Sequence, residues 1–431
     1  MLVGNVPRKV AVIGGTRIPF ARGQTAYANV GNAEMLTATL TGLVDRCQLR
    51  GTRLGDVIGG AVLKHSRDFN LVRECVLSSG LDPHTPGLDI QRACGTSLEA
   101  AILVANKIAL GQMDVGIACG VDTVSDPPVV FRKEFRALLM KAHRARSTGQ
   151  KIGALLGVRP RHFKPQFPGV DEPRTGLSMG ESCELMAKKW RITRAEQDQL
   201  AYDSHMNAAA AWQAGFYDDL VMPYQSLERD NNIRPDTSLE KLGKLKPSFD
   251  TTSGQGTLTA GNSTPLTDGA SAVLLATPEW AAAHRLPVLA YISYGKQWAV
   301  DFASGHEGLL MAPAYAVSAM LSDANLALQD FDLFEIHEAF AAQVLCTLKA
   351  WESADYCRER LGRDRPLGSI DRAKLNVKGS SIAIGHPFAA TGTRIVATLA
   401  KQLAQSSHTK RGLISVCTAG GMGVTAILEK A

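Results

Sequence analysis

Three side chains that could carry nucleophilic and acid–base chemistry lie far apart in the sequence: Cys94, His386 and Cys417. A thiol becomes a strong nucleophile when a base removes its proton, and a histidine within hydrogen-bond reach of the cysteine can do this. Cys94 precedes an apolar helical segment, and a helix N-terminus favours a thiolate. When each residue is considered alone, the favoured interpretation of Cys94 is a buried, inert thiol. The favoured interpretation of His386, in a Gly-His-Pro turn, is a loop histidine bonded to the backbone.

Two further segments place polar groups where predicted strands end. Cys417 ends a strand, and the glycine-rich turn at 419–423 lets backbone N–H groups approach a ligand. A second thiol at this place could act as an acid or base on carbon. His337 and Glu338 follow the strand at 331–336, at a strand-to-helix turn where site residues are common. A simpler interpretation of Cys417 is a buried cysteine in a strand. A simpler interpretation of Glu338 is a favourable charge at the start of a helix.

The elements that would position these residues alternate between strand and helix in two similar series. In the first series we predict strands at 9–13, 56–63, 87–93, 115–121 and 270–276, and helices at 33–47, 70–79 and 98–110. In the second series we predict strands at 290–293, 331–336, 381–384, 412–417 and 424–429, and helices at 312–324, 339–351 and 391–403. The helix after Cys94 is apolar on nearly every side, so we expect it between two sheets.

The order of the elements indicates a duplicated fold, with Cys94 before one helix and His386 before its counterpart. Duplication would bring the two helix N-termini together. We expect an N-terminal half at 1–280 and a C-terminal half at 281–431. The region at about 126–255 interrupts the first half, and a segment of that length is expected to be a functional subdomain with basic, helical and loop parts.

Composition limits the class of protein. Of 431 residues, 45% are hydrophobic and 20% charged, and the net charge of +6 suits a phosphorylated ligand without requiring one. No zinc-finger spacing or aromatic-basic motif indicates nucleic acid. The eight cysteines show no CxxC and no disulfide framework, so we expect reduced thiols. With no secretory leader or spanning segment expected, we predict a cytoplasmic protein.

Six stretches resemble motifs of the thiolase family in the family's own order, and the resemblance extends over nearly the whole chain. They lie at 91–97, 176–181, 259–270, 337–341, 385–387 and 417–423. The resemblance implies an α/β, thiolase-like duplicated fold of five layers, α-β-α-β-α, with an inserted loop subdomain. It also implies a 3-ketoacyl-CoA thiolase, which cleaves 3-ketoacyl-CoA with free CoA to acetyl-CoA and a shortened acyl-CoA.

The resemblance assigns roles to individual residues. Cys94 matches the acylated nucleophile, and His386 matches its base and a donor to the thioester oxygen. Cys417 matches the second thiol, which exchanges a proton with the α-carbon. The backbone N–H groups of Cys94 and Ala419 would form an oxyanion hole. Five further residues match the cofactor and acyl path: Met179, Ala260, Thr264, Ala339 and Phe340.

His337 stands where many thiolases have an asparagine that holds a water in an oxyanion hole. This histidine resembles the thiolases that are β-subunits of fatty-acid oxidation complexes. The resemblance therefore implies degradative β-oxidation, CoA as co-substrate, no permanently bound cofactor and no metal. It implies a homodimer or a dimer of dimers, with a partner subunit of enoyl-CoA hydratase and hydroxyacyl-CoA dehydrogenase activity.

The segment at 125–165 holds ten Lys or Arg against two acidic residues, with apolar residues among the charges. A solvated face is one interpretation. The others are contact with CoA phosphates, peripheral contact with an anionic membrane through about 126–165, or docking of a partner subunit. We favour the membrane or partner interpretation.

Three alternatives to a degradative thiolase stay open. A biosynthetic, acetoacetyl-CoA-forming thiolase would use the same groups in the reverse direction. A ketoacyl synthase shares the duplicated fold and uses two histidines, which His337 and His386 superficially fit, whereas Cys417 favours a thiolase. A non-catalytic acyl-CoA-binding subunit would leave Cys94 inert to iodoacetamide.

Overall fold

The centre of the fold is a mixed sheet in which one strand order occurs twice. The computed structural model describes residues 7–169 and 171–431. The strands are β1 Ala11–Arg17, β2 Ala21–Arg22, β3 Asp56–Gly59, β4 Gly87–Asp89, β5 Val115–Asp122, β6 Val130–Phe131, β7 Pro165–Gln166, β8 Thr267–Ala276, β9 Ala290–Ala299, β10 Leu333–Ile336, β11 Arg411–Thr418 and β12 Met422–Lys430.

The two halves share strand directions as well as order. In the first half the order is β4-β3-β5-β8-β1, with β3 parallel to β4 and β5 and the remaining pairs antiparallel. In the second half the order is β10-β11-β12-β9, with β10 parallel to β11 and the remaining pairs antiparallel. A parallel bridge from Phe334 to Leu375 stands where the first half has β4. The two sheets join through a short pairing of β1 with β9.

Helices cover both outer faces and fill the space between the sheets. They are α1 Asn32–Arg46, α2 Leu71–Ser78, α3 Thr96–Ala109, α4 Lys133–Arg144, α5 Thr148–Leu155, α6 Met179–Lys189, α7 Arg194–Gln213, α8 Leu239–Gly243, α9 Pro278–Ala283, α10 Ala312–Ala324, α11 Ala341–Glu352, α12 Ala354–Glu359, α13 Ser381–Ile384 and α14 Thr391–Gln405. The apolar faces of α3 and α14 share the central core cluster. Helices α1 and α2 pack on one outer face, and α10 and α11 pack on the other. The layers are therefore α-β-α-β-α, which confirms the predicted fold class.

The two central helices approach each other closely at their N-termini. A Cβ at Gly392, in the first turn of α14, would lie 2.1 Å from the backbone nitrogen of Leu98 in α3. Only glycine leaves room for this approach. The backbone N–H of Thr393 also donates to Ser97 Oγ at 2.9 Å. The first turns of the two halves are thus fixed against each other.

Most predicted elements lie within a few residues of the observed ones, and one is wrong. Residues 381–384 form a single helical turn, α13, instead of a strand. The backbone N–H groups of Ala383 and Ile384 donate to Ser380 O, so the segment bonds within itself and not to a neighbouring strand. A short apolar run is compatible with either structure, and tertiary packing decides. Strands β3 and β4 also end at Gly59 and Asp89, earlier than predicted.

The region at 126–255 contains helices α4 to α8 and the two-stranded sheet of β6 and β7. Phe131 and Phe163 pack edge-on against buried Phe135, with ring centroids 4.9 and 5.1 Å from it. The basic segment therefore has a small aromatic core of its own. Among the described residues, no helix has both the length and the apolar character needed to cross a bilayer.

Candidate active site

Cys94 lies in a constrained turn between β4 and α3. The preceding residue, Ala93, has a φ of +44°, a left-handed conformation that is unusual for alanine and often marks a functional site. The hydroxyl of Thr96 donates to Ala93 O at 2.7 Å and accepts the backbone N–H of Arg92 at 2.9 Å. These two bonds hold the turn that presents the sulfur, and Cys94 remains partly exposed while the helix that follows is buried.

His386 lies opposite Cys94 and is held at both ring nitrogens and at its backbone. Its Nε2 is 3.0 Å from Cys94 Sγ, and its Nδ1 is 2.6 Å from Thr391 Oγ1. Its backbone N–H donates to Thr267 Oγ1 at 2.7 Å. Gly385 before it has a φ of +112°, which side chains disfavour. The structure thus brings the two residues that the sequence predicted as nucleophile and base into direct contact.

Burial keeps this pair neutral at rest. Desolvation raises the pKa of the Cys94 thiol to about 12, although the backbone N–H groups of Ala419 and of Cys94 itself act to lower it. Desolvation also lowers the pKa of His386 to about 3, with a further contribution from the Arg394 cation. Desolvation thus acts against the thiolate that a helix N-terminus favours.

His337 lies beside His386 at the end of β10. The two imidazole centroids are 4.1 Å apart, and the rings are inclined by 44°. The His337 backbone N–H donates to Ser415 O at 2.9 Å, and its Nδ1 is 2.7 Å from Ser381 Oγ. The ring is fully buried, and Nε2 has no hydrogen-bond partner among the described residues. Burial lowers the pKa of His337 well below its usual value, so the ring is neutral.

Cys417 approaches the same site from β11. Its side chain is buried, and it lies opposite Gly423 in the hairpin of β11 and β12. Burial raises the pKa of its thiol, and the neighbouring Cys94 thiol raises it further. The following turn directs the backbone N–H of Ala419 to the Cys94 sulfur. The site therefore contains two protonated thiols, two neutral imidazoles and converging backbone donors.

The ligand atoms of Cys94, His337 and His386 lie within 4.8 Å of one another, so these residues could in geometric terms hold a soft metal ion. Each imidazole already uses Nδ1 in a hydrogen bond, which leaves only Nε2 for an ion. The Nε2 of His386 faces the thiol at hydrogen-bond distance. This arrangement suits proton transfer between sulfur and nitrogen.

One cavity has basic residues in its wall. The wall includes Arg22, His205, Arg234, Lys241, Ala260, Ser263 and Ile382. It also includes Pro265, and the next residue, Leu266, forms a backbone bridge with His386. The cavity wall therefore reaches the segment that contacts the proposed base.

The five predicted cofactor-path residues have different surroundings. Ala260 lines the cavity. The hydroxyl of Thr264 donates to Ser381 O at 2.8 Å, and its backbone N–H donates to Ala339 O at 3.1 Å. Phe340 is buried against Phe249. Met179 begins α6 and packs against the core cluster that contains Phe340.

Sequence reasoning missed two residues that contact the histidines and a third that bonds one of those two. Thr391 and Ser381 bond the imidazoles, and Arg394 bonds Ser381 Oγ at 2.9 Å. A signal existed for Arg394, because an arginine near the start of an otherwise apolar helix needs a buried partner. Serine and threonine near a helix start are too common to single out.

A thiol in contact with an imidazole, where two copies of one α/β unit meet, is an arrangement suited to covalent catalysis by a cysteine. Comparison with known proteins identifies the class of enzyme. The family model of the thiolase N-terminal domain matches residues 10–279, and that of the thiolase C-terminal domain matches 286–430. The chain belongs to the thiolase family and is an acyltransferase.

Individual relatives are similar over nearly their full length. A 3-ketoacyl-CoA thiolase of Pectobacterium atrosepticum is 41% identical over 427 residues, covering 98% of this chain and 96% of that protein. One of Shewanella halifaxensis is 40% identical, covering 98% and 97%. Human mitochondrial 3-ketoacyl-CoA thiolase in complex with CoA superposes with a TM-score of 0.80 at 27% identity, covering 99% of both chains. The structure of an acetyl-CoA acetyltransferase of Bacillus anthracis superposes with a TM-score of 0.82 at 28% sequence identity, covering 99% of this chain and 100% of that chain.

Proposed function

We propose that this enzyme cleaves 3-ketoacyl-CoA with free CoA, yielding acetyl-CoA and an acyl-CoA two carbons shorter. The observation that carries the proposal is the 3.0 Å contact between Cys94 Sγ and His386 Nε2, beside a second imidazole and a second thiol. The printed names of the 40–41% identical relatives support this substrate.

In the first half-reaction, the Cys94 sulfur attacks the ketone carbon C3 while its proton moves to His386 Nε2. The C2–C3 bond then breaks and leaves the acyl group on sulfur and the enolate of acetyl-CoA. N–H groups of His386 and His337 donate to the enolate oxygen, and one such donor lowers a barrier by about 3–4 kcal/mol. The thiol of Cys417 gives its proton to C2, and acetyl-CoA departs.

In the second half-reaction, free CoA releases the acyl group. The Cys417 thiolate takes the CoA proton, either directly or through His386 after His386 has passed its own proton to Cys417, and the CoA sulfur attacks the thioester carbon. The backbone N–H groups of Cys94 and Ala419, which already point to the Cys94 sulfur, donate to the oxyanion that forms. Collapse releases the Cys94 thiolate, which takes back its proton from protonated His386, so both thiols are restored and the kinetics are ping-pong.

The basic cavity is the proposed CoA site. Arg22 and Arg234 provide cations for phosphate groups at its exposed edge. The backbone N–H of Arg234 donates to His205 Nδ1 at 3.2 Å, which leaves the proton of this neutral ring on Nε2. Ser263 Oγ is buried and has no hydrogen-bond partner among the described residues. Lys241 Nζ is paired with Asp236 at 3.0 Å, so Arg22, Arg234, His205 and Ser263 are the groups proposed to bond a pantetheine or phosphate group.

The test is thiolysis of short, medium and long 3-ketoacyl-CoAs by the purified enzyme, followed by separation of the acyl-CoA products. We expect cleavage that is lost in Cys94→Ser, whereas Cys47→Ser, a buried cysteine remote from the site, retains it. A wild-type enzyme without thiolysis at any length contradicts the proposal. Retained decarboxylative condensation after Cys417→Ser would favour a ketoacyl synthase. A higher rate of acetoacetyl-CoA formation than of long-chain cleavage would favour a biosynthetic enzyme.

We also propose that the basic segment at 126–165 contacts an anionic membrane. Its exposed apolar side chains include Val130, Met140, Ile152 and Leu156, the last 74% exposed, and they lie among ten Lys or Arg. Apolar insertion and attraction to anionic headgroups act together in such segments. The remaining alternative for this surface is a partner subunit.

Co-sedimentation with phosphatidylglycerol and phosphatidylcholine vesicles tests the membrane contact. We expect binding to the anionic vesicles that weakens with salt and with the double substitution Ile152→Ser and Leu156→Ser. Phe69→Ser, which removes an exposed side chain outside the segment, is the matched control. Equal binding of the wild type, the double variant and Phe69→Ser, or no binding by the wild type, contradicts the membrane contact.

For assembly and location, the resemblance to β-subunits of fatty-acid oxidation complexes supports three proposals. The chain forms a homodimer or a dimer of dimers, it works with a subunit of enoyl-CoA hydratase and hydroxyacyl-CoA dehydrogenase activity, and it is cytoplasmic. Sedimentation velocity of the purified chain and of its complex, together with cell fractionation, tests them.

A further inference from the structure

A buried polar chain leads from the middle of the protein to the free nitrogen of His337. Arg394 Nη2 donates to Ser381 Oγ at 2.9 Å, and Ser381 Oγ lies 2.7 Å from His337 Nδ1. All three side chains are at most 1% exposed. Beyond the ring, Nε2 has no partner within the part of the chain that the structure describes.

The hydrogens of this chain can be assigned by counting donors and acceptors. An arginine only donates, so Ser381 Oγ accepts from Arg394. The serine has one hydrogen of its own, and His337 Nδ1 is the acceptor within reach of it among residues 7–169 and 171–431. Nδ1 therefore carries the lone pair, and in a neutral imidazole the proton then lies on Nε2.

The opposite assignment leaves two groups unsatisfied. If His337 Nδ1 carried the proton, Ser381 Oγ would accept two hydrogen bonds and its own hydrogen would have no acceptor. Nε2 would then turn a bare lone pair towards the site. A lone pair repels a developing oxyanion, whereas an N–H stabilises it.

We propose that Arg394 and Ser381 are positioning residues that hold His337 with its proton on Nε2, so that this N–H donates to the enolate oxygen in the reaction. The inference rests on the proposed function and assigns the residues that prepare the oxyanion site. With its proton on Nε2, His337 turns an N–H and not a lone pair towards the cluster with Cys94 and His386.

The charge of Arg394 acts in the same direction as its hydrogen bond. Its guanidinium lowers the pKa of both His337 and His386, in addition to the effect of burial. Both rings therefore stay neutral, as the assignment of one proton to each ring requires. Glu335 and Glu338 lie close enough to offset the buried cation electrostatically.

Kinetics provide one test. We expect Ser381→Ala to lower kcat for thiolysis about tenfold while KM for the 3-ketoacyl-CoA changes less than twofold, because the lost bond acts on the oxyanion site and not on substrate binding. Ser381→Thr restores the hydroxyl and should recover most of kcat. Ser79→Ala is the matched control, because this buried serine donates to Val76 O in another part of the fold. A kcat of Ser381→Ala equal to that of Ser79→Ala overturns the proposal.

Neutron diffraction from crystals of the deuterated wild-type enzyme provides the second test and needs no variant. Deuterium on His337 Nε2 and on Ser381 Oγ, directed to Nδ1, is the expected result. Deuterium on His337 Nδ1 overturns the proposal even if thiolysis is normal. Absent thiolysis in the wild type would instead contradict the proposed function, so the two failures are distinguishable.

Discussion

Replacing Thr391 by valine isolates the hydrogen bond that orients the catalytic base in the proposed mechanism. The Thr391 hydroxyl lies 2.6 Å from His386 Nδ1, and the side chain is fully buried. Since His386 Nε2 must accept the Cys94 proton, Nδ1 carries a proton and donates to Thr391. Valine keeps the shape of threonine and removes only the acceptor.

The magnitude follows from the change in charge of His386. A hydrogen bond between neutral groups is worth about 1 kcal/mol, and one to a charged group about 1.5–3 kcal/mol. Only the difference, about 0.5–2 kcal/mol, acts on the barrier, because the bond strengthens as the imidazolium forms. At about 1.4 kcal/mol for each tenfold change, kcat/KM falls about 2- to 30-fold.

The assay is steady-state thiolysis with Thr398→Val as matched control. Thr398 is also buried in α14, but its hydroxyl bonds only Arg394 O in the preceding turn. We expect the control to stay within twofold of the wild type. A folded Thr391→Val enzyme with unchanged kcat/KM would refute the role of this bond.

Three further outcomes follow from burial and packing. The rate of Cys94 alkylation by iodoacetamide should rise with pH through about pH 9, because burial raises the pKa of this thiol to about 12. An alkylation rate that no longer rises with pH near neutrality would indicate a preformed thiolate. Between about pH 8 and pH 5, kcat/KM should not fall through protonation of His386, because burial lowers the pKa of this ring to about 3 and the neutral form persists. A fall in kcat/KM with an apparent pKa near 6.5, the ordinary value for histidine, would show that the ring is not desolvated. Gly392→Ala should lower the free energy of unfolding by about 1–3 kcal/mol in urea titration, because its Cβ would lie 2.1 Å from Leu98 N. Gly149→Ala is the control, because a Cβ added there would meet no described atom within 4 Å outside its chain neighbours and helix backbone, and equal stability of the two variants would contradict the close approach at Gly392.

The sequence could predict the reacting groups because each lies at an element boundary that local patterns reveal. Cys94 and His386 precede the two central helices, and Cys417 and His337 end or follow strands that were predicted within two residues of their observed ends. Duplication of the strand-helix order then implied that Cys94 and His386 meet. These inferences need only periodicity, turn residues and the order of elements.

The residues that tune these groups could not be predicted in the same way. Ser381 and His337 are 44 positions apart, and the serine faces the imidazole because residues 381–384 form a helical turn instead of the predicted strand. The pKa of Cys94 depends on burial by the assembled halves, which no local pattern contains. Local signals therefore located the candidate residues and the family resemblance assigned their proposed chemistry, whereas protonation and orientation required the tertiary structure.

One helix orients both imidazoles. Thr391 and Arg394 are one turn apart on α14, and they act on His386 directly and on His337 through Ser381. Thr96, at the start of α3, holds the turn that carries Cys94.

The distance from sulfur to imidazole therefore depends on how α3 and α14 pack, and not on the flexibility of a loop. The Thr393–Ser97 hydrogen bond and the close approach at Gly392 fix that packing in the first turn of each helix. A substitution there should lower thiolysis together with stability, whereas Thr391→Val should lower thiolysis alone.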